Sequence, residues 1–450
     1  MSHSLDHPTL DPLLTALTAA PHWYVGFSGG VDSTALLHLL GAWHRAHQNA
    51  PPLTALHVNH GLHLQAGEWE NHCAWICRFL EIPFQALRAD VVVAGEGPEA
   101  AARDARYKLF QEQLGEGDVL FLGHHQDDQV ETFFLRLLRG AGVDGLAAMA
   151  PERALGRGQV VRPLLDVSRS ALESYVSGHG LQCVKDPSNE DVELDRNYLR
   201  REIMPRLEQR WPGYRQTVAR ASEHLAGASQ RLRRSVTPLA TVHSAAGDPG
   251  VAVAELVESS EDDAALALRN WLRELGCRAP DRAPLQELLR QLSQAREGRG
   301  AELRCGDYRL SRYRDVLYLL PPEAAVPSEA LQLSPGESLE IPGVGEVRLE
   351  RAQEGFWLSA DEDLLVQFRR GGERCHPVSR KRSNSLKKLL QESELPPWWR
   401  DRVPLLFLDE ELLAVGSLGA CRSGRWGGEA HEGEAAWKMV WEPAVAGTGD

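Results

Sequence analysis

The sequence has no hydrophobic run long enough to cross a membrane, because nowhere do about 18 apolar residues follow one another. The stretch from Met1 to Asp11 lacks the basic start and apolar block of a secretion signal. Hydrophobic residues make up 43% and charged residues 25% of the 450 positions, as in ordinary globular proteins. We therefore expect a cytoplasmic protein with no membrane attachment and, at this length, two or three domains.

Cysteine is also scarce. Seven cysteines, an odd number, are spread over the whole chain, and none of them forms a C-x-x-C pair. Cys73 and Cys77 are spaced as neighbours on a helix rather than as a metal clip. This pattern predicts buried free thiols in a reducing compartment instead of a disulfide framework.

Positive charge is in deficit overall, with a formal net charge of −14, which argues against indiscriminate binding to nucleic acid. Two stretches depart from this balance. Arg196 to Arg234 carries ten arginines against three glutamates, and Val366 to Arg402 carries ten lysines and arginines against four acids. Each stretch could be a solvated helix face or a surface for the phosphates of a nucleic acid.

The loop after the first predicted strand, Trp23 to Phe27, lacks the lysine of the common nucleotide-binding loop G-x-x-x-x-G-K-[ST]. Two adjacent glycines instead lead into a helical pattern, so that unpaired backbone N–H groups at the helix start can hold a phosphate. Asp32 would repel phosphate, and its presence therefore suggests a bridging Mg²⁺. The predicted nucleotide-binding residues are Ser28, Gly29, Gly30, Val31, Asp32 and Ser33. This loop resembles the pyrophosphate loop of the ATP pyrophosphatase superfamily.

Strands alternate with helices after this loop, which predicts an α/β fold with a doubly wound parallel sheet. Further strands are expected at Leu53 to Val58, Phe84 to Val93 and Asp118 to Gly123. In such sheets the ligand lies beyond the carboxyl ends of the strands. We expect this catalytic domain to span residues 1–215. A mainly helical domain should follow over 216–325, and a small α+β domain over 335–442.

Two acids follow the fourth predicted strand in the run from His124 to Glu131. Asp128 and Glu131 stand three apart at a helix start and hence on one face. They could hold Mg²⁺ or a cationic substrate, or they could simply cap the helix. Arg103 and Arg106, on the preceding predicted helix, could pair with a phosphate or with these acids.

An ordered set of motifs resembles the tRNA(Ile)-lysidine synthetase family in its long form, which has two C-terminal domains. In the first half the motifs are Ser28 to Ser33, His57 to Leu62, Glu99 to Tyr107, Gly123 to Thr132, Leu138 to Gly142, Arg162 to Leu165, Asp186 to Asn189 and Asp195 to Arg200. In the second half they are Phe368 to Glu373, Leu386 to Leu389, Pro396 to Trp398 and Arg402 to Leu406. Any one of these motifs is weak, but their order covers most of the chain, from about 20 to 420.

This resemblance implies a reaction on the wobble cytidine of an isoleucine tRNA with a CAU anticodon. ATP would adenylate the C2 oxygen of the base, and the ε-amine of free lysine would displace AMP to leave lysidine. Asp32 would then hold Mg²⁺, Arg106 would stabilise the adenylate phosphate, and Asp128 and Glu131 would bind the lysine. The two basic stretches would contact the tRNA. The oligomeric state stays open, with a homodimer among the options.

Three other functions are compatible with parts of the sequence. A tRNA thiolase of the same superfamily would need a reactive cysteine pair or an iron–sulfur C-x-x-C motif, which this chain lacks. A small-molecule synthetase of the asparagine or GMP type would need an amidotransferase partner or domain. A non-catalytic RNA-binding adaptor would keep the basic stretches without needing the loop from Ser28 to Ser33 or Asp128.

Overall fold

A computed structural model describes residues 6–61, 65–89, 98–184, 193–294, 301–359, 362–426 and 434–445. Leu62, the motif at 186–189 and the predicted strand residues 90–93 lie outside these ranges. The chain divides into two compact units, one ending at Leu232 and the other starting at Arg233. The domain boundaries expected near 215 and 325–335 remain predictions.

The first unit is built on a six-stranded sheet with the order β3-β2-β1-β4-β6-β5. Its strands are β1 (Trp23–Gly26), β2 (Leu53–Asn59), β3 (Phe84–Arg88), β4 (Val119–Phe121), β5 (Glu152–Leu155) and β6 (Gly158–Val161). All neighbouring pairs are parallel except the edge pair of β5 and β6. The predicted doubly wound parallel sheet is therefore confirmed.

Helices cover this sheet and complete the first unit. They are α1 (Asp11–Ala16), α2 (Val31–Ala46), α3 (Ala66–Phe79), α4 (Pro98–Gln113), α5 (Gln126–Leu138), α6 (Val143–Leu146), α7 (Arg169–Gly178), α8 (Asp195–Tyr198), α9 (Met204–Arg210) and α10 (Tyr214–Ser235). A short π-type turn, Leu199–Ile203, joins α8 to α9. The apolar face of α2, including Leu36 and Leu40, packs on Val25 and Phe121 in the main core. This packing fixes the start of α2 directly above the end of β1.

The central position of β1 sets the place of the site. Its neighbours β2 and β4 lie on opposite sides of it, so the strand order reverses there. Crevices at such reversals are where open parallel sheets bind their ligands. The loop at 27–30 leaves the carboxyl end of β1, and the segment beginning at Gly123 leaves the carboxyl end of β4.

The antiparallel pair of β5 and β6 was not expected from the sequence. Three of the four residues of β5 are exposed, so the strand carries little of the apolar signal that marks buried strands. The sequence pattern predicts a helix from Gln129 to Leu138, but α5 begins three residues earlier, at Gln126. This earlier start places Asp128 inside the first turn of the helix.

The second unit holds a five-stranded antiparallel sheet with three helices, followed within the described ranges by a second five-stranded sheet and two smaller ones. The first part consists of β7 (Thr241–His243), β8 (Pro249–Ala252), α11 (Val253–Val257), α12 (Glu261–Glu274), α13 (Arg282–Gln294), β9 (Glu302–Cys305), β10 (Tyr308–Tyr313) and β11 (Val316–Leu320). The strand order is β7-β8-β11-β10-β9. The sequence pattern predicts two helices from Glu261 onward and a hairpin at Glu302 to Leu320. These elements are present, but the sequence did not indicate that the hairpin belongs to a sheet of five strands.

The remainder of the second unit is mixed α and β, as expected. It comprises β12 (Leu331–Leu333), β13 (Ser338–Ile341), β14 (Gly345–Leu358), β15 (Leu364–Gln367), β16 (Arg374–Cys375), β17 (Asn384–Ser385), α14 (Leu386–Glu392), α15 (Pro397–Arg400), β18 (Leu405–Leu408), β19 (Glu411–Val415), β20 (Gly419–Ala420) and β21 (Ala435–Pro443). The buried carboxylate of Asp248 ties the two parts of this unit together. It accepts hydrogen bonds from the indole N–H groups of Trp398 and Trp399, at 3.2 and 2.7 Å.

One expectation about cysteine is wrong. Cys375 and Cys421 form a disulfide in the second unit, with their Cα atoms 6.1 Å apart. The other five cysteines are free thiols, as expected, but only Cys73 and Cys77 among them are buried. The bonded pair is 46 residues apart in sequence and meets only because the fold brings β16 beside the end of β20, so no local spacing could indicate it.

Within the described ranges, no helix combines the length and the apolar character needed to cross a membrane.

Candidate active site

The loop between β1 and α2 is held by short-range hydrogen bonds. The hydroxyl oxygens of Ser28 and Ser33 lie 3.1 Å apart, and Ser33 Oγ also donates to the carbonyl of Gly30 at 3.1 Å. Gly30 is the N-cap of α2, and no side chain of the described residues caps this helix. The first N–H groups of α2 therefore remain available to a phosphate, with the positive end of the helix dipole behind them.

Glycine is required at position 29 for two reasons. Its φ of +82° lies in the left-handed region that other residues avoid. A Cβ atom there would stand 2.9 Å from Cys73 Sγ and 3.1 Å from Val184 Cγ2. The N–H of Val184 in turn donates to the carbonyl of Gly29 at 2.8 Å and fixes the turn. Gly29 therefore shapes the loop from behind instead of facing a ligand.

A cleft of about 330 Å³ opens at this loop. Its floor is apolar, from Leu56, Val58, Phe110 and Leu122. Its polar lining comes from four separate segments and consists of Ser28, Gly30, Asp32, Ser33, Arg106, His124, Asp128, Arg196, Asn197 and Arg200. The cleft thus combines an apolar surface suited to a base with donors and charges suited to phosphates.

His125 lies at the centre of three carboxylates at the start of α5. It is fully buried, and its Nε2 is 3.5 Å from both Asp32 Oδ1 and Asp128 Oδ2, while its Nδ1 is 3.9 Å from Asp127 Oδ2. Burial alone would lower the pKa of His125, but the carboxylates of Asp32, Asp128 and Asp127 outweigh burial and raise it. The imidazole therefore links the loop after β1 to the helix after β4.

The carboxylates of Asp128 and Glu131 form ion pairs with two arginines. Arg196 Nη2 donates to Asp128 Oδ1 at 2.8 Å, and Arg196 Nε donates to Glu131 Oε2 at 2.6 Å. Arg200 donates to both oxygens of Glu131, at 2.7 and 3.0 Å. Glu131 is fully buried and does not line the cleft, whereas Asp128 does. Burial would raise the pKa of Asp128, but His125 and Arg196 lower it, so this carboxylate stays ionised.

Asp128 also caps its own helix, because one carboxylate oxygen accepts the backbone N–H of His125 at 3.0 Å. Helix capping, one of the open interpretations of these acids, is therefore part of the role of Asp128. Glu131 makes no such bond among the described residues, and its carboxylate is taken up by the two arginines.

Arg106 reaches the cleft from α4 and contacts a neutral histidine. Its Nε and Nη2 atoms lie 3.3 and 3.1 Å from His60 Nε2. Burial, together with the charge of Arg106 and the nearby His57, lowers the pKa of His60 to about 4. His60 is therefore an uncharged acceptor at neutral pH, and it orients the guanidinium without neutralising it. Arg106 has no carboxylate partner among the described residues and keeps its charge for a ligand.

Asp32 meets the chemical requirement for holding Mg²⁺. Its Oδ1 atom is buried and accepts no hydrogen bond from the described residues. The described ranges contain no cluster of three or more histidine, cysteine, aspartate or glutamate residues suited to a metal. Mg²⁺ usually binds through one or two carboxylates together with substrate phosphates, and a single carboxylate beside a phosphate loop fits that pattern.

The structure brings most of the predicted site residues into one cleft, with three exceptions. Gly29 and Val31 shape the loop but do not line the cleft, and Glu131 lies behind it. Arg196 and Arg200 were expected to contact tRNA as part of a basic stretch, but they line the cleft and pair with acids. The two arginines are four residues apart in sequence, and the acids Asp128 and Glu131 are three apart. Each spacing places its pair on one face of a helix, so the sequence did contain a signal that two faces of opposite charge could pair.

Three family models match successive parts of the chain. A PP-loop domain matches residues 6–207, a TilS substrate binding domain matches residues 252–318, and a TilS substrate C-terminal domain matches residues 364–441. The first model thus covers the whole cleft described above. The other two lie in the second unit, which Asp248 and the tryptophans at 398 and 399 hold together.

Three relatives match over at least nine tenths of this chain and of their own length. A tRNA(Ile)-lysidine synthase from Pseudomonas putida is 42% identical over 416 residues, which cover 90% of this chain and 94% of that protein. A protein of the same name from Coxiella burnetii is 35% identical over 438 residues, with 96% and 95% covered. One from Pseudomonas syringae is 40% identical over 463 aligned positions, with 100% and 97% covered.

A solved structure, the U34-tRNA thiolase NcsA from Methanococcus maripaludis with its [4Fe-4S] cluster, is far more distant. It is 18% identical, covers 48% of this chain and 78% of its own, and has a TM-score of 0.39, which is too low to support an argument about function. The identities and coverage of the full-length relatives are decisive by comparison. The phosphate loop, the acid and arginine pairs of the cleft and these relatives together show that the chain belongs to the tRNA(Ile)-lysidine synthase family.

Proposed function

We propose that this protein forms lysidine at the wobble cytidine of an isoleucine tRNA with a CAU anticodon, using ATP and free lysine. The observation that carries the proposal is the convergence of an uncapped phosphate loop, Arg106 and Asp128 on one cleft, in a chain of this family. ATP would transfer its adenylyl group to the C2 oxygen of the base and release pyrophosphate. The lysine ε-amine would then displace AMP and form the new C–N bond.

The loop residues would bind the pyrophosphate part of ATP. The first N–H groups of α2 and the hydroxyls of Ser28 and Ser33 supply donors to the phosphate oxygens. Asp32 would hold Mg²⁺, which neutralises phosphate charge when bound. Arg106, oriented by His60, would donate to the adenylate phosphate through its free N–H groups, a charge-assisted contact.

Asp128 is the better of the two predicted acids for binding lysine. Its carboxylate is ionised and lines the cleft, where it can attract the ammonium group of the side chain. Glu131 is buried and held by two arginines, so we assign it to positioning Arg196 and Arg200 beside the phosphate loop. This assignment separates the two acids, which the sequence had placed in one role.

The tRNA would also contact the second basic stretch, through the segment at 380–388 within it. Lys381, Arg382 and Lys387 are exposed and carry no ion pair with a described acid. Arg380 and Lys388 both pair with Glu392 on α14. The segment therefore offers several free cations to phosphates while α14 keeps it ordered.

Mass spectrometry of the wobble nucleoside tests this proposal. Purified protein is incubated with tRNA, ATP and lysine, and each component is left out in turn. We expect lysidine only in the complete reaction and pyrophosphate release whenever ATP and tRNA are both present. A thiolated base in the presence of a sulfur donor, or pyrophosphate release without tRNA, would contradict the proposal.

Substitution of Asp32 tests the site itself. Asp32→Ala should abolish pyrophosphate release and leave tRNA affinity nearly unchanged, because the residue can reach a metal at the loop. Asp104→Ala, which replaces an exposed acid on α4, is the matched control and should retain activity. Near-normal pyrophosphate release by Asp32→Ala would show that the metal role is wrong. The dimeric state and the cytoplasmic location remain predictions.

A further inference from the structure

Three arginines surround Tyr107 on α4 and a fourth lies close to them, in an arrangement that the proposed chemistry does not use. The guanidinium carbons of Arg153 and Arg103 lie 4.7 and 5.7 Å from the centre of the Tyr107 ring. Arg162 Nη2 lies 3.5 Å from the Tyr107 hydroxyl. The charges of Arg103 and Arg162 also act on Arg136, the fourth arginine. We call these five residues the Tyr107 cluster.

The Tyr107 cluster contains no acid. Arg162 is only 5% exposed, yet its Nη1 donates to a backbone carbonyl, that of Ala150 at 2.7 Å, and its Nε has no partner. Arg136 likewise donates to two backbone carbonyls, at 2.9 and 2.7 Å. Among the described residues, none of the four arginines forms an ion pair with a carboxylate. Buried guanidinium groups are normally paired, so this cluster is an exception that needs an explanation.

The cluster carries an electrostatic cost within the protein. Burial lowers the pKa of Arg162 and of Arg136. The charges of neighbouring arginines lower both further, and for Arg162 the Tyr107 hydroxyl offsets only part of this effect. These shifts show that each positive charge destabilises its neighbours. An anion placed among them would reduce the repulsion and would give the unpaired N–H of Arg162 an acceptor.

The cluster adjoins the active-site cleft. Tyr107 directly follows Arg106, which lines the cleft, on the same helix. The charges of Arg162 and Arg103 also reach His124 in the cleft wall, where, with burial as the main cause, they lower its pKa to about 3. A polyanion that delivers one of its groups to the cleft would therefore pass close to the cluster.

We propose that the Tyr107 cluster binds backbone phosphates of the tRNA next to the nucleotide that enters the cleft. This inference rests on the proposed function, because it takes the tRNA as the polyanion. Arg103 and Arg153 are exposed, and their planar guanidinium groups can each bind a phosphate with two hydrogen bonds. Arg162 and Arg136 supply positive charge from below. Phosphate contacts of this kind fix the position of the nucleic acid without reading its sequence.

The test is the salt dependence of tRNA binding by the double variant Arg103→Gln, Arg153→Gln. Its dissociation constant should rise about tenfold at moderate salt. The log–log salt slope should fall by about 1.4 to 1.8, since each phosphate that the protein neutralises accounts for about 0.7 to 0.9 of the slope. Arg157→Gln is the matched control, because Arg157 is an exposed arginine of the β5–β6 turn. It should bind tRNA as the wild type does.

Binding of ATP without tRNA is measured on the same proteins, together with binding of inorganic phosphate. ATP affinity should be unchanged in the double variant, since neither residue lines the cleft. A salt slope equal to that of Arg157→Gln would overturn the inference, and so would a loss of ATP binding. Binding of free inorganic phosphate that depends on both arginines, with unchanged tRNA affinity, would assign the cluster to a small anion and overturn it too. If the wild type bound no tRNA, the proposed function itself would fail, which is a separate result.

Discussion

Replacing Glu131 by glutamine should destabilise the first unit and stop the ATP step, not only the lysine step. The buried carboxylate accepts three hydrogen bonds from Arg196 and Arg200, at 2.6, 2.7 and 3.0 Å. An amide keeps one acceptor oxygen but turns an N–H donor toward an arginine N–H. Both guanidinium groups would then lose their main anchor beside the phosphate loop.

The size of the effect follows from the burial of the pair. Breaking a buried ion pair by removing one partner costs about 3 to 5 kcal/mol. The side chains of Arg196 and Arg200 are 25% and 27% exposed, so water recovers part of this loss. We therefore expect a loss of about 2 to 4 kcal/mol in the free energy of unfolding. For a unit of this size that corresponds to a fall in Tm of roughly 4 to 16 °C.

The assay combines thermal unfolding with a lysine-free reaction that traps adenylated tRNA. Glu173→Gln is the control, because Glu173 is 54% exposed and pairs with Arg169 at 3.0 Å on α7. That control should change stability by less than about 0.5 kcal/mol. If Glu131→Gln has the same Tm as Glu173→Gln, the contacts of Glu131 with the two arginines do not contribute to stability. If adenylated tRNA accumulates normally in Glu131→Gln without lysine, the residue belongs to the lysine step, as the sequence alone had indicated.

Two further predictions concern tRNA binding and pH. When the basic residues of the segment at 380–388 are neutralised, the log–log salt slope of tRNA binding should become less steep. The slope should change by about 0.7 to 0.9 for each phosphate contact that is lost. An unchanged slope would mean that this segment is only a solvated surface. Acid should destabilise the protein through His60, whose folded pKa of about 4 lies below the unfolded value of about 6.5. The native state binds fewer protons between these values, so stability is lost as the pH falls through this window, by at most roughly 3 kcal/mol. His60→Gln should show a smaller fall in Tm between pH 7 and pH 4.5, and an equal fall would contradict the neutral state of His60.

The phosphate loop was predictable from the sequence because its structure is local. Its side-chain hydrogen bonds join residues at most five apart, such as Ser28 with Ser33 and Ser33 with Gly30, although one backbone bond, from Val184 to Gly29, comes from a distant segment. Glycine conformation, strand end and helix start are all set within the same short stretch. The alternation of strands and helices is equally local, and it led to the correct parallel sheet and to the sheet edge at which the cleft opens.

Elements with weak local signals were missed. The β5 strand is mostly exposed and sits at the sheet edge, so its residues show neither an apolar run nor alternation. The first five-stranded sheet of the second unit was missed because β7 has three exposed residues and β8 pairs with β11, more than sixty positions away. In both cases the neighbouring strand, not the intrinsic pattern, determines the structure.

The pairing of charged side chains depends on contacts that no local pattern encodes. Glu131 meets Arg196 and Arg200 across 65 and 69 positions, and Asp248 meets Trp399 across 151. The sequence could show that Asp128 and Glu131 share a helix face, because that follows from a spacing of three. It could not show that one carboxylate faces the cleft while the other is buried under two arginines. Spacing alone assigned one function to both acids, but their partners in the structure separate them. Only Asp128 lines the cleft, so only Asp128 remains a candidate for contacting the ligand.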